Sequence, residues 1–180
     1  QQQVQQALDQ DASDTGSPLH VAMFQCQGSR EPGRDYCSRI CCPRSLDQAL
    51  RLKAGHPDSR VVIFYRDMMT PGVSESVYTE ARKAGVVFVP YEPGKTPELT
   101  ADGAGCRVNW TDPILGRAME MTADYVVLAT GIQPGLPRDL ARQFGADLDR
   151  FGFFDQADIK WRPVEAMDPR ILACGICLEP

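Results

Sequence analysis

The sequence predicts an α/β fold: a Rossmann-like parallel sheet with crossover helices plus a small antiparallel β-meander. Apolar runs of strand length recur at 19–26, 61–67 and 86–91. Helix-like stretches separate them, which is the pattern of parallel strands joined by crossover helices. The 180 residues suffice for one domain of ordinary size. With 43% hydrophobic residues and a net charge of -5, the chain can bury a core.

The chain begins with a polar stretch. Residues 1–18 are rich in Gln, Asp and Ser, and they predict an N-terminal segment or linker ahead of one domain over 19–180. Within this stretch, residues 1–10 are a candidate short helix. The first apolar run, LHVAMFQC, follows, and after it comes a loop rich in Gly and Pro.

Two helices are predicted between the first three strands. The first ends at Gly55 and has a candidate break at Pro43. The residues that set its helical spacing are Leu46, Ala49, Leu50 and Lys53. The second helix spans 74–85 and is closed by Gly85.

The pattern changes after residue 100. Strand candidates at 105–113, 116–123 and 124–131 are joined by short turns and predict a meander that leads into a buried strand. The alternation that supports the meander comes from Val108, Trp110, Met119 and Met121. A short helix is expected over 136–145, and a last buried strand over 170–176.

Four cysteines carry the strongest chemical signal: Cys26, Cys37, Cys41 and Cys42, spaced C-x10-C-x3-C-C. Cys37 and Cys41 are four residues apart and would share one face of a helix. Thiolates from a strand end and a helix start suit a [4Fe–4S] cluster, which takes four Cys ligands. Zinc remains open, although it usually takes two short C-x2–4-C pairs, and so do structural or redox thiols.

The surroundings of these cysteines are polar, with Arg39 and Arg44 nearby. This is unlike an apolar core stripe, and the two cations could offset the negative charge of a thiolate-bound cluster. No G-x-G-x-x-G follows the first strand, so we expect no nicotinamide cofactor there. Asp67, at the end of the second strand, is interpreted as an ordinary loop-capping residue.

Two further strand ends are candidate binding positions, because glycine lets the backbone come close to a bound group. They are the Ala129-Thr130-Gly131 end of one strand and Gly175 at the end of the last. Cys174 and Cys177 form a C-x-x-C motif, which is typical of redox pairs. We favour one buried strand Cys and one incidental Cys instead, because no helix clearly follows Cys174. Cys106 is interpreted as an isolated strand residue.

The composition argues against some classes of partner and indicates a cellular compartment. The chain has no Lys/Arg cluster that would suit nucleic acid. It has no apolar stretch of the roughly 20 residues needed for direct membrane insertion. Its start lacks the features of a signal peptide. We therefore expect a cytoplasmic protein whose seven cysteines serve metal or redox chemistry.

Several sequence blocks together resemble the A subunit of heterodisulfide reductase and the homologous subunits of quinone-interacting complexes. The resemblance runs from residue 19 to the end, through FQCQGSR, DYCSRICC, LKAGHPDSRVVIFYRDMMTPGVSESVYTEARKAGVVFVPY, TDPILGRAMEMTADYVVLATGIQP and GFFDQADIKWRPVEAMDPRILACG. It implies a thioredoxin-reductase-like flavoprotein with a [4Fe–4S] cluster in a nucleotide domain. The implied cluster ligands are Cys26, Cys37, Cys41 and Cys42. The positions implied on the FAD side are Ala129, Thr130, Gly131 and Gly175.

The resemblance also implies an oxidoreductase complex, with electrons passing between FAD, a cluster and other subunits. The family's N-terminal flavin-binding motif and its ferredoxin-like insertions are absent from this sequence. Ile176 stands where flavoproteins of this class often carry Asp. We therefore expect a fragment of a longer chain that is not active alone and whose FAD is bound mainly by a missing N-terminal part. Two alternatives are a docking domain without a cluster and a thiol–disulfide redox domain using Cys41 and Cys42 or the C-x-x-C pair.

Overall fold

The computed structural model describes residues 18–103, 105–135 and 137–178. The candidate helix over 1–10 lies outside the described residues. The described chain divides into two compact units. Residues 18–27 and 39–130 form the first, here called the sheet unit, and residues from 28–38 and from 131 onward form the second, the loop unit.

The sheet unit is built on a four-stranded parallel sheet in the order β3-β2-β1-β7. Its strands are β1 (His20–Phe24), β2 (Arg60–Tyr65), β3 (Val87–Pro90) and β7 (Tyr125–Leu128). Helix α1 (Cys41–Gly55) crosses from β1 to β2, and helix α2 (Ser74–Lys83) crosses from β2 to β3. This confirms the predicted α/β class with its crossover helices.

Strand β1 is buried on both faces, as the central strand of a parallel sheet must be. Val21 and Met23 pack into a core with α1 and α2. Ala22 and Phe24 point the other way, into a second core that includes residues of the antiparallel sheet. The parallel sheet is therefore sandwiched between helices and a second sheet, which explains why HVAMF has almost no polar residue.

That second sheet is the predicted meander, but with an unexpected strand, β4 (Glu98–Asp102), and without the run 124–131. It is antiparallel, in the order β4-β5-β6, with β5 (Gly105–Asp112) and β6 (Arg117–Ala123). The sequence does not predict β4, because ELTAD carries acidic residues that strands disfavour. The run 124–131 leaves the meander and pairs in parallel with β1 as β7.

Helix α1 is continuous from Cys41 to Gly55, so the candidate break at Pro43 does not interrupt it. Pro43 lies in the first turn, where a backbone N–H would have no partner within the helix and its loss costs little. With 15 residues, α1 is shorter than the roughly 20 that a bilayer crossing needs. Among the described residues, no helix has the length and apolar character to cross a membrane.

The loop unit contains helix α3 (Arg138–Phe144), a 3₁₀ helix at Gly175–Cys177 and isolated β-bridges. The prediction of a buried strand over 170–176 is wrong. Leu172 makes a single bridge to Glu165 and is 70% exposed. The apolar run ILACGI resembled a core strand, yet Ala173 is its one buried member.

Substituting Leu46, which is completely buried between α1 and the parallel sheet, tests the first core. Leu46→Ala should lower the free energy of unfolding by about 2–5 kcal/mol, because it removes apolar contacts and leaves a cavity. The matched control is Ile114→Ala, at a turn residue that is 84% exposed, which should change stability by no more than about 0.5 kcal/mol. Urea unfolding measures both, and equal losses would contradict this packing.

Candidate functional site

Gln25 and Cys26 extend β1 at its carboxyl end, in the sheet unit. The Gln25 N–H donates to the Phe64 carbonyl (2.9 Å), and the Gln27 N–H donates to the Ala129 carbonyl (3.1 Å). These bonds to β2 and to the end of β7 hold the chain on both sides of Cys26. Cys26 is only 7% exposed and has a φ of 61°.

Helix α1 brings two more cysteines to the same edge of the sheet, because a crossover helix begins where the preceding strand ends. Cys42 is 4% exposed, and its thiol donates to the Asp67 carbonyl, just after β2 (3.8 Å). Cys41, the first residue of the helix, is half-buried. The side-chain amide of Gln25 (Nε2) donates to Ser45 Oγ in α1 (2.7 Å). This bond joins the end of β1 to the helix.

Cys37 is half-buried and belongs to the loop unit. It precedes α1 and is not helical, so the prediction that Cys37 and Cys41 share one helix face is wrong. The Arg39 backbone, with a φ of 55°, separates the loop from the helix. Among the described residues, no three His, Cys, Asp or Glu side chains form a group that could hold a metal ion as they stand.

Backbone strain is concentrated in the segment that carries these cysteines. Among the described residues, the non-glycine positions with positive φ are Cys26, Arg30 and Arg39, at 61°, 60° and 55°. Each such residue costs on the order of 1–3 kcal/mol and tends to occur at active sites and ligand clamps. The sequence does not predict these conformations, because neither Cys nor Arg favours them.

Gly131 lies in a tight polar setting within the loop unit. A Cβ built there, where φ is 74°, would meet Ser38 Oγ, Arg34 Nη2 at 2.8 Å and Ser29 Oγ at 2.9 Å. The next residue is held by the same loop: the Ile132 N–H donates to Ser38 Oγ (2.8 Å), and the Tyr36 hydroxyl donates to the Ile132 carbonyl (2.8 Å). The close approach predicted at this glycine is therefore made by the chain's own side chains.

The other positions predicted on the FAD side differ from Gly131. The Ala129 N–H donates to the Phe24 carbonyl (2.9 Å), so its backbone extends the pairing of β7 with β1. Thr130 is exposed. Gly175 has a φ of 74°, and a Cβ there would meet nothing within 4 Å. Open space at Gly175 suits the approach of a ligand, whereas the space beside Gly131 is already filled.

Two ionisable groups illustrate the electrostatics of the separate units. Burial is the main cause that raises the pKa of the Tyr65 phenol, at the end of β2. In the loop unit, hydrogen bonds from Arg170 lower the pKa of Asp168 to about 2. Both observations describe structural contacts, and neither group belongs to the predicted site.

A cleft of about 560 Å³ lies in the sheet unit between the segment after β3 and strands β5 and β6. Tyr91 and Trp110 are among the residues that line it, and none of the four cysteines does.

Several curated proteins resemble this chain over one segment of their own length, although no family model matches the chain. A protein of Archaeoglobus profundus named as like the A subunit of heterodisulfide reductase is 34% identical over 91% of this chain and 23% of its own length. The A subunit of the ferredoxin:CoB-CoM heterodisulfide reductase of Methanosarcina acetivorans is 32% identical over 95% of this chain and 22% of its own length. The iron-sulfur A subunit of the CoB–CoM heterodisulfide reductase of Methanocaldococcus jannaschii is 34% identical over 93% of this chain and 26% of its own length.

The chain therefore spans about a quarter of the length of these relatives, and over that segment the predicted resemblance to the A subunit of heterodisulfide reductase is confirmed. Solved structures agree on the fold. The thioredoxin reductase of Lactococcus lactis matches 96% of this chain and 48% of its own, with a TM-score of 0.57 at 16% identity. A HOCl-induced flavoprotein disulfide reductase of Escherichia coli matches 91% of this chain and 32% of its own, with a TM-score of 0.57 at 14% identity.

The packing around Gly131 leads to a prediction about the loop unit. Gly131→Ala should destabilise the protein by about 1–3 kcal/mol more than Gly145→Ala, because only the first substitution also overpacks a filled site. Gly145 is the matched control, since its φ is 70° and a Cβ there meets nothing within 4 Å. Both variants share the left-handed cost of about 1–2 kcal/mol.

Thermal and urea unfolding of both variants would measure the difference. Adding Ser38→Ala to Gly131→Ala should recover part of the extra loss, because the two positions are in contact and their effects are then not additive. Equal losses at the two glycines, with no recovery in the double variant, would contradict the described contact.

Proposed function

We propose that this chain is the cluster-bearing segment of a heterodisulfide-reductase-like protein, with Cys26, Cys37, Cys41 and Cys42 as the ligands of one [4Fe–4S] cluster. The observation that carries the proposal is the strained backbone of this segment, in which Cys26 itself is left-handed. The name of the Methanocaldococcus jannaschii relative, which calls it an iron-sulfur subunit, supports the proposal. When bound, the cluster would supply one-electron relay between FAD and partner subunits.

The donor set suits such a cluster, because it consists of four thiols and needs no carboxylate. Three of the thiols lie on elements that meet at the carboxyl edge of the parallel sheet, and Cys37 precedes Cys41 by four residues. The side chains of the described residues are not gathered into a ligand group as they stand. Ligand sites are often completed by binding, because binding free energy is coupled to the ordering of the ligands.

The chain's own residues would shape the surroundings of the thiolates. Cys26 and Cys42 are buried, so water is largely excluded from their sulfur atoms. Exposed Arg39 and Arg44 place positive charge on the same stretch of chain as the cysteines. Positive charge and hydrogen bonding near the sulfur atoms favour the more negative, reduced state, and so we propose that these two arginines raise the reduction potential.

The remaining parts of the proposal rest on the longer relatives. We propose FAD as the electron-transfer partner of the cluster, bound mainly by regions that this chain does not span. Gly175 is the best-suited of the positions proposed on the flavin side, because its surroundings are open. Other subunits of a heterodisulfide-reductase-like or quinone-interacting complex are the proposed partners, and the cytoplasm is the proposed compartment.

Iron and acid-labile sulfide, measured after reconstitution without oxygen, test the ligand set. The parent chain should hold about four irons, and Cys26→Ser, Cys37→Ser, Cys41→Ser and Cys42→Ser should each lose most of that iron and the visible absorption that bleaches on reduction. Cys106→Ser is the matched control, because Cys106 is a half-buried cysteine on β5, and its iron content should be unchanged. Circular dichroism shows whether each variant remains folded.

Three results would overturn this assignment. A folded Cys41→Ser variant with unchanged iron and sulfide would remove Cys41 from the ligand set. A parent chain that holds no iron under these conditions would favour a docking domain without a cluster, and one that holds zinc without sulfide would favour a structural metal site.

A further inference from the structure

The C-x-x-C motif of the loop unit has a different setting from the one its sequence suggested. A 3₁₀ helix, Gly175–Cys177, begins directly after Cys174, which is its N-cap. The interpretation of one buried strand Cys and one incidental Cys, which depends on the absence of a helix after Cys174, is wrong. Cys174 is exposed, lies in no strand and is followed directly by this helix.

The two cysteines are held close to each other. The Cys177 thiol donates to the Cys174 carbonyl at 2.8 Å. Residues three apart in such a tight turn have Cα atoms within about 7 Å, and a disulfide spans roughly 4.4–6.8 Å between Cα atoms. Gly175 permits the turn with its φ of 74°. The turn thus brings the two cysteines within the range of a disulfide.

The turn is also anchored at both ends. The Ala173 N–H donates to the Val164 carbonyl (2.8 Å), and the Phe154 N–H donates to the Cys177 carbonyl (2.8 Å). Ala173 is buried, whereas the next three residues are exposed. Exposed Cys174 and half-buried Cys177 therefore lie on a turn that is anchored at both ends.

We propose that Cys174 and Cys177 form a thiol–disulfide exchange site for low-molecular-weight disulfides, independent of the four cysteines assigned to the cluster. Exposed Cys174 is the attacking residue: its thiolate bonds to one sulfur of the small disulfide and releases the first thiol. Cys177 is the resolving residue: its thiolate bonds to the Cys174 sulfur and releases the second thiol. The protons of the two cysteines go to the two released thiols, so the pair is oxidised by two electrons while one disulfide is reduced.

Glutathione disulfide is the probe for this site. The whole chain, loaded with iron, is equilibrated in buffers of defined glutathione and glutathione disulfide ratio, then blocked with iodoacetamide and digested with trypsin. The peptide that begins at Ile171 contains both Cys174 and Cys177 and no other cysteine. Under oxidising buffer it should carry no alkyl group and be lighter by two hydrogen atoms, and it should become doubly alkylated as the buffer grows reducing.

Two variants assign the roles. Cys177→Ser should retain one glutathione on Cys174, since no resolving thiol remains, and Cys174→Ser should form no bridge. Circular dichroism confirms that each is folded, and the titration of the parent chain needs no variant at all. Iron content should be the same in both variants as in the parent, which separates this site from the cluster.

The proposal is overturned if the parent peptide stays doubly alkylated in the most oxidising buffer. It is equally overturned if that peptide accumulates as a stable glutathione adduct with no internal bridge. Neither result would affect the iron-binding proposal, and a loss of iron binding would leave the exchange chemistry of this pair unchanged.

Discussion

The sheet unit depends on the way in which β1 ends. Gln25, the residue after this strand, is completely buried. Its backbone N–H donates to Phe64 in β2, and its backbone carbonyl accepts a hydrogen bond (2.7 Å) from the hydroxyl of Tyr91, which follows β3. Its side-chain amide donates to Ser45 in α1. An unmade hydrogen bond in the interior costs about 1–3 kcal/mol. Three polar groups of Gln25 have these partners, whereas its buried Oε1 has none among the described residues. One residue therefore ties three elements together at the point where Cys26 follows.

The placement of the cysteines follows from this arrangement and from the two cores. Because β1 is packed on one face by helices and on the other by the antiparallel sheet, its end cannot shift without disturbing both cores. Cys26 is then held in a left-handed conformation between backbone bonds to β2 and to β7. The start of α1 brings Cys41 and Cys42 to the same edge. The strained backbone at Cys26 is of the kind that occurs at active sites and ligand clamps.

Much of the sheet unit could be predicted from the sequence, because its elements follow simple physical patterns. HVAMF and RVVIFY are continuous apolar runs, and a strand buried on both faces must be of that kind. The edge strand ELTAD could not be recognised, since its acidic residues weaken the strand signal. The apolar run ILACGI predicts a buried strand wrongly, because an apolar pattern does not show whether other residues will cover it. The spacing of the cysteines indicates a cluster, but no local pattern predicts the left-handed backbone at Cys26, which lies between backbone hydrogen bonds to β2 and to the end of β7.

The central claim is that the four cysteines hold one [4Fe–4S] cluster. Mössbauer spectroscopy of the chain reconstituted with ⁵⁷Fe and sulfide, without oxygen, tests it most directly, because the spectrum reports the type of every iron centre present. The account predicts that nearly all the iron gives the signature of a cubane cluster that accepts one electron on reduction. A spectrum dominated by isolated ferrous or ferric ions, or by a two-iron cluster, would contradict it.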